Sequence, residues 1–289
     1  MSPLLEIARI VTFAAALQIF GAAAFQWLLC PERLRRALDM PLRPLATLAA
    51  VAMLAGEVLW LAATAGNLGD GWSDAFNPAT LLLVLQATQF GHVWTATLVL
   101  TAGLVVLGVL RLNWLWLTVV AGIALATLGM VGHGASLDGI AGVFNRVSQV
   151  LHLLSSGFWL GALIPLLFCL RHFRDPALVA DADRTLRRFS GFGHFAVAIL
   201  LLSGVANSYF VLGATVPDLT VPYQALLALK IVLAGIMCGL AIVNRYVFVP
   251  RIPNDGPGLR QLRHGTIAEM VMSAGILLLV SLLGTLPPT

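Results

Sequence analysis

Charge is what this sequence has least of. Asp, Glu, Lys and Arg together make up 10% of its 289 residues, where a soluble domain carries about 25%. With 59% hydrophobic residues and a mean hydropathy of +0.93, no globular core could bury the apolar surface. A soluble protein is therefore excluded, and the composition reads as an integral membrane protein in one domain over 1–289. Cysteine is also scarce. Cys30, Cys169 and Cys238 form no CxxC or CPC pattern, which removes the usual thiolate metal sites and redox motifs. No P-loop, GxSxG or βαβ pattern is present, so neither nucleotide hydrolysis nor hydrolase chemistry is indicated. The net charge of +4 follows from arginine in membrane-flanking loops and does not indicate nucleic-acid binding.

Long apolar runs are what the chain does have. Eight segments reach the ~20 residues needed to span a bilayer: 5–29, 42–65, 80–110, 114–134, 146–170, 188–213, 223–249 and 265–286. The first is too long for a signal-peptide core and is read as a retained helix. The third is overlong, so its first half is expected along the surface or beyond the bilayer. Pro3, Pro41, Pro78 and Pro222 stand at segment starts, where a missing N–H costs nothing.

Of the 17 Lys and Arg, all but Arg9, Arg146 and Lys230 fall in alternate loops. Arg33, Arg35, Arg36 and Arg43 follow segment one, and Arg111 follows segment three. Arg171, Arg174, Arg184, Arg187 and Arg188 follow segment five, and Arg245, Arg251, Arg260 and Arg263 follow segment seven. The positive-inside rule puts these loops in the cytoplasm and both termini in the periplasm. The fold expected is all-α: a multi-pass bundle of eight transmembrane helices in a bacterial inner membrane, surrounded by lipid.

That orientation assigns depth to the polar residues. His92, Met130, His133 and His152 come from segments three, four and five, all in the outer leaflet. His152 lies six residues past Arg146, about 9 Å deeper along a helix axis. Met130 and His133 are three apart and share a helix face. A polar, metal-capable side chain within the bilayer needs a partner or a function. Neutral imidazoles beside a thioether suit Cu(I), or haem iron as axial ligands. Ser155, Ser156 and Trp159 follow His152 along one stripe, where the serines could orient the imidazole. Glu57 and Lys230 fall at comparable depth and are expected to form a buried ion pair, and Glu6 with Arg9 a second. His194 sits in the inner half of segment six.

Gly132-His133-Gly134-Ala135, then His152-Leu-Leu-Ser-Ser-Gly-Phe-Trp159-Leu-Gly161-Ala-Leu-Ile-Pro165, resemble the copper resistance protein D (CopD) family. So do Arg188-Phe189-Ser190, Tyr223 with Lys230, and Asn244-Arg245-Tyr246 followed by Pro250. The resemblance is strongest over 129–286. It implies an eight-helix inner-membrane protein that handles copper. It also implies a separate periplasmic copper-binding partner of the CopC type, because the chain lacks the CopC-like domain fused to some relatives.

Two functions follow. A copper permease would receive the metal at His92, Met130, His133 and His152 and pass it inward. A membrane redox protein would use His92, His133 and His152 to hold haem b. Red protein with a Soret band separates the second from colourless, copper-retaining protein. The orientation has its own test. An alkaline phosphatase fused after Thr289 should be active and a fluorescent protein at the same point dark; the reverse pair of results would invert the topology.

Overall fold

The computed structural model of the chain describes residues 2–131, 139–213, 217–252 and 257–287. Among these residues every regular element is a helix. In order they are α1 (Ser2–Ala24), α2 (Glu32–Leu68), α3 (Trp72–Ala75), α4 (Pro78–Ala87), α5 (Gln89–Val109), α6 (Trp114–Leu128), α7 (Gly139–Leu160), α8 (Leu163–Arg171), α9 (Val179–Leu212), α10 (Pro222–Val243) and α11 (Pro257–Leu283). Seven stretches are long and apolar enough to cross a membrane: Pro3–Leu29, Glu32–Leu68, Gln89–Val109, Gly139–Arg174, Val179–Leu212, Pro222–Arg251 and Gly258–Leu283. Helix α6 is apolar but has 15 residues, or roughly 22 Å of rise against a hydrocarbon core of about 30 Å. The last residues of the segment expected over 114–134 lie outside the described ones.

Two sequence expectations about boundaries are corrected. Helix α2 starts ten residues before the apolar run and contains Pro41 and Pro44, so Pro41 does not open a helix. Likewise α9 begins at Val179, which puts Arg184, Arg187 and Arg188 on a helix and not in a loop. These arginines are built in. Arg35 donates from Nε to the Gln26 carbonyl (3.0 Å) and from Nη2 to the carbonyls of Trp27 (3.3 Å) and Cys30 (3.1 Å). It thereby satisfies the acceptors left open where α1 ends in a π-turn, Phe25–Leu29. Arg188 donates to Leu29 O at 3.1 Å. Arg43 pairs with Asp39 at 3.0 Å, donates to Leu112 O at 2.8 Å and lies over the Trp114 ring at 3.9 Å. These contacts mark an arginine-rich end of the bundle.

The overlong third segment is broken. Thr88 is extended (φ −114°, ψ 148°), and its hydroxyl oxygen accepts from Gly91 N–H at 2.8 Å, capping α5. Helix α4 folds back there. Its Val84–Leu85 backbone presses on Gly91, where a Cβ would collide with the Val84 carbonyl.

Helix α1 holds the architecture together. It packs on α2 and α6 on one side and on α7 and α11 on the other; α5 packs on α2 and α6, α9 on α7, and α10 on α11. The joint between the two sides is glycine on glycine. A Cβ at Gly161 would collide with the Leu17 carbonyl, and one at Gly21 with the backbone of Gly157 and Gly161. Small-residue contacts of this kind drive helix association in lipid, where burying apolar surface gains nothing. Overpacking such a contact costs about 1–3 kcal/mol or more. Gly161→Val is therefore expected to lower the melting temperature in detergent by about 5 °C or more. Gly191→Val, which meets nothing within 4 Å, should leave it within about 2 °C. Equal effects would show that the contact does not carry the joint.

Candidate functional site

Away from the cluster of Arg35, Arg43 and Arg188, a cavity of about 880 Å³ lies among the starts of α1, α5 and α7 and the ends of α2 and α6. His92 and Met130 both border it, with Arg9, Trp60, Gln89 and Arg146. The Thr88 break sets the His92 side chain. It turns α4 back so that the Gln86 carbonyl comes within 2.9 Å of His92 Nε2. A carbonyl can only accept, so Nε2 carries the hydrogen and Nδ1 keeps a lone pair.

His152 is held elsewhere, at the packing of α7 on α9. Its Nδ1 is 3.1 Å from Ser203 Oγ, and its ring lies against Gly204. The Ser203 hydroxyl also lies within hydrogen-bond reach of the carbonyls of Ile199 (2.7 Å) and Leu200 (3.1 Å). With its hydrogen on one of them, the serine oxygen accepts the His152 Nδ1–H, and Nε2 is the nitrogen left with a lone pair. His152 does not border the cavity of His92 and Met130. His133 lies outside the described residues. Among those described, no three His, Cys, Asp or Glu side chains cluster as a metal site. His194 contrasts with both. Its Nδ1–H donates to Ser190 O (2.6 Å) and its Nε2 accepts from Tyr246 O–H (2.9 Å), so neither nitrogen is left over.

The supporting residues are redistributed. Ser156 donates to the His152 carbonyl at 2.7 Å, not to the imidazole, and Ser155 is buried. Trp159 donates from its indole to Glu269 Oε2 at 3.3 Å. Glu57 does not pair with Lys230. Fully buried, it accepts from Thr101 Oγ1 at 2.8 Å, while its backbone carbonyl takes the Trp94 indole hydrogen at 3.1 Å. Its second carboxyl oxygen has no hydrogen-bond partner, nor does the buried Thr12 hydroxyl, whose residue packs on Gly56. Lys230 is on α10, which packs on α11. Nor does Arg9 pair with Glu6. Its guanidinium lies 4.7 Å from the Trp60 ring centre, a cation–π contact. Among the described residues, the ion pairs are Arg35–Glu32, Arg36–Glu32, Arg43–Asp39 and Arg187–Asp183.

Sequence reading missed Thr88, Ser203 and the Gln86 carbonyl. Thr88 left a signal, because a threonine three residues before a helical glycine is a cap candidate. Ser203 left none, since its partner is 51 residues away.

The family model described as copper resistance protein D-like, N-terminal domain, matches residues 1–143, and the one described as copper resistance protein D matches residues 183–283. Inner membrane protein YebZ of Escherichia coli (strain K12) is 34% identical over 97% of both chains. Copper resistance protein D of Pseudomonas syringae pv. tomato is 32% identical over 99% of this chain and 97% of its own. Copper transport protein CutJ of Bacillus subtilis (strain 168) is 31% identical over 52% of this chain and 29% of its own. No solved structure matches. The chain belongs to the copper resistance protein D family and is a multi-pass inner-membrane protein.

The separation of Glu57 from Lys230 has a measurable consequence. Lys230→Met and Glu57→Gln should change stability additively, within about 0.5 kcal/mol, as unlinked sites do. A double variant more stable than that sum by about 1 kcal/mol or more would restore the ion pair.

Proposed function

We propose that this chain carries copper across the inner membrane, with the cavity of His92 and Met130 as its periplasmic entrance. The observation that carries the reading is that these two residues, one on α5 and one just past the end of α6, border the same cavity. A thioether and an imidazole with a free Nδ1 suit the soft Cu(I) ion. Two relatives are named for copper, which is consistent with that donor set.

In this reading the copper ion is cargo. His92 and Met130 bind it first, His133 takes part in the entrance, and His152, about 9 Å along α7 from Arg146, receives it next. Ser203 holds the His152 ring in the tautomer that presents Nε2. Helix α6 is the eighth crossing, and both termini are periplasmic. A periplasmic copper-binding protein of the CopC type delivers the ion. Copper leaves toward the arginine-rich, cytoplasmic end.

Purified protein is expected to retain copper and to be colourless after reduction. His92→Ala, His133→Ala and His152→Ala should each lower retained copper roughly tenfold or more, and Ser203→Ala should weaken binding by about tenfold. His194→Ala should retain the wild-type amount, since both its nitrogens are engaged within the bundle. Metal analysis after purification reads all five. Full copper in the three histidine variants would place the site elsewhere, and a Soret band would replace the copper reading with haem b on the same imidazoles.

A further inference from the structure

A second cavity, of about 270 Å³, lies toward the arginine-rich end among α7, α8, α9, α10 and α11. The entrance site does not use it. Two departures from regular helix and one close glycine contact lie beside it. The α7–α8 helix breaks at Gly161–Ala162 just after Trp159. Helix α10 ends in a π-turn, Asn244–Phe248. Beside the π-turn, α11 carries Gly265 against the Asn244 side chain. Single π-turns within helices often mark functional positions.

These irregularities converge on one group, the carboxyl of Glu269. It is buried, with 4% of its surface exposed, and it borders the cavity. Asn244 Nδ2 donates to its Oε1 at 2.6 Å, and the Trp159 indole donates to its Oε2 at 3.3 Å. Both donors are neutral. The charged or titratable groups bordering the same cavity are Cys238 on α10, Arg245 on the π-turn and His194 on α9. Helices α7 and α8 contribute only Trp159 and Leu166 to its lining. Among the described residues Glu269 is in no ion pair. An unpaired carboxylate at membrane depth is unfavourable, and a carboxylic acid there gives up its proton only when water or a cation reaches it.

We propose that Glu269 is a proton-binding site. Its carboxyl holds H⁺ while the cavity is dry. It releases the proton to water that enters past Ser190, His194 and Arg245, and it takes one back as the cavity closes. Asn244 and Trp159 are positioning residues that hold the two carboxyl oxygens and stabilise the ionised form. The membrane-buried Glu57 is a contrast within the same chain: it has one hydroxyl donor and borders neither cavity. This site goes beyond the copper reading, and its test needs no copper.

The probe is dicyclohexylcarbodiimide, which reacts with protonated carboxyl groups in apolar surroundings. It is applied to the full-length protein in native membranes, and the adduct is located by peptide mass analysis. Glu269 is expected to be labelled, with a rate that falls about tenfold per pH unit once the group ionises within roughly pH 5–9. Glu269→Gln should lose that adduct. Loss of a hydrogen bond to the ionised form keeps the proton on to higher pH. Asn244→Leu and Trp159→Phe should each move the fall upward by about half a unit or more. Trp159→Phe keeps an aromatic ring in place, so the shift can be read even if Asn244→Leu fails to fold. An unlabelled Glu269, or a rate that stays flat across that range, would overturn the proposal. Labelling as expected in a protein that binds no copper would remove the copper reading and leave this one standing.

Discussion

The close backbone contact between Gly21 on α1 and Gly161 at the α7–α8 break is the constraint on which the rest of the structure depends. In lipid, two helices gain little by covering apolar surface, because the tails cover it equally well. What remains is dispersion and polar contact at short range, and only residues without a side chain allow the approach. Through this joint α1 connects the α2, α5 and α6 side to the α7, α9 and α11 side. The break at Gly161–Ala162 follows Trp159, so the joint also sits beside the indole that reaches Glu269. A bulkier contact would move His152 and Trp159 together, since both are on α7.

The two buried glutamates follow one rule, from which the second Glu57 carboxyl oxygen departs. Without water in the hydrocarbon region, a donor or acceptor must be met from within the protein. Glu57 is met by a hydroxyl and Glu269 by an amide and an indole. No arginine or lysine neutralises either among the described residues, although the chain has 17 Lys and Arg. Arginines on α2 and α9 reach the ends of other elements, where open carbonyls need donors. Arg35, Arg43 and Arg188 all donate to backbone carbonyls there. Cations therefore fix the arginine-rich end, and neutral donors fix the interior.

The three described intramembrane histidines show how a hydrogen bond sets what an imidazole can do. His92 and His152 each give one N–H to an oxygen and retain one lone pair, the state that binds a metal. His194 uses both nitrogens within the bundle and lacks that capacity. The residue type is the same in all three; the difference comes from Gln86 O, Ser203 and the Ser190–Tyr246 pair.

The sequence by itself determined that the chain is a helical membrane protein, because composition at this hydropathy admits nothing else. It also separated an arginine-rich end from an arginine-poor one, and it marked His92, Met130, His133 and His152 as metal-capable, since depth follows from position along a helix. Helix ends were less legible. Apolar runs stop where arginine begins, but α2 and α9 continue through their arginines, because guanidinium groups can satisfy carbonyls without breaking the helix. Equal depth was not enough to pair Glu57 with Lys230, because depth fixes one coordinate and contact needs the rotation of each helix and its neighbours. Only the tertiary structure decided those. It turned α4 back at Thr88 to fix His92, put Ser203 beside His152, and brought Trp159, Asn244 and Glu269 together from three helices whose sequences carry no mark of one another.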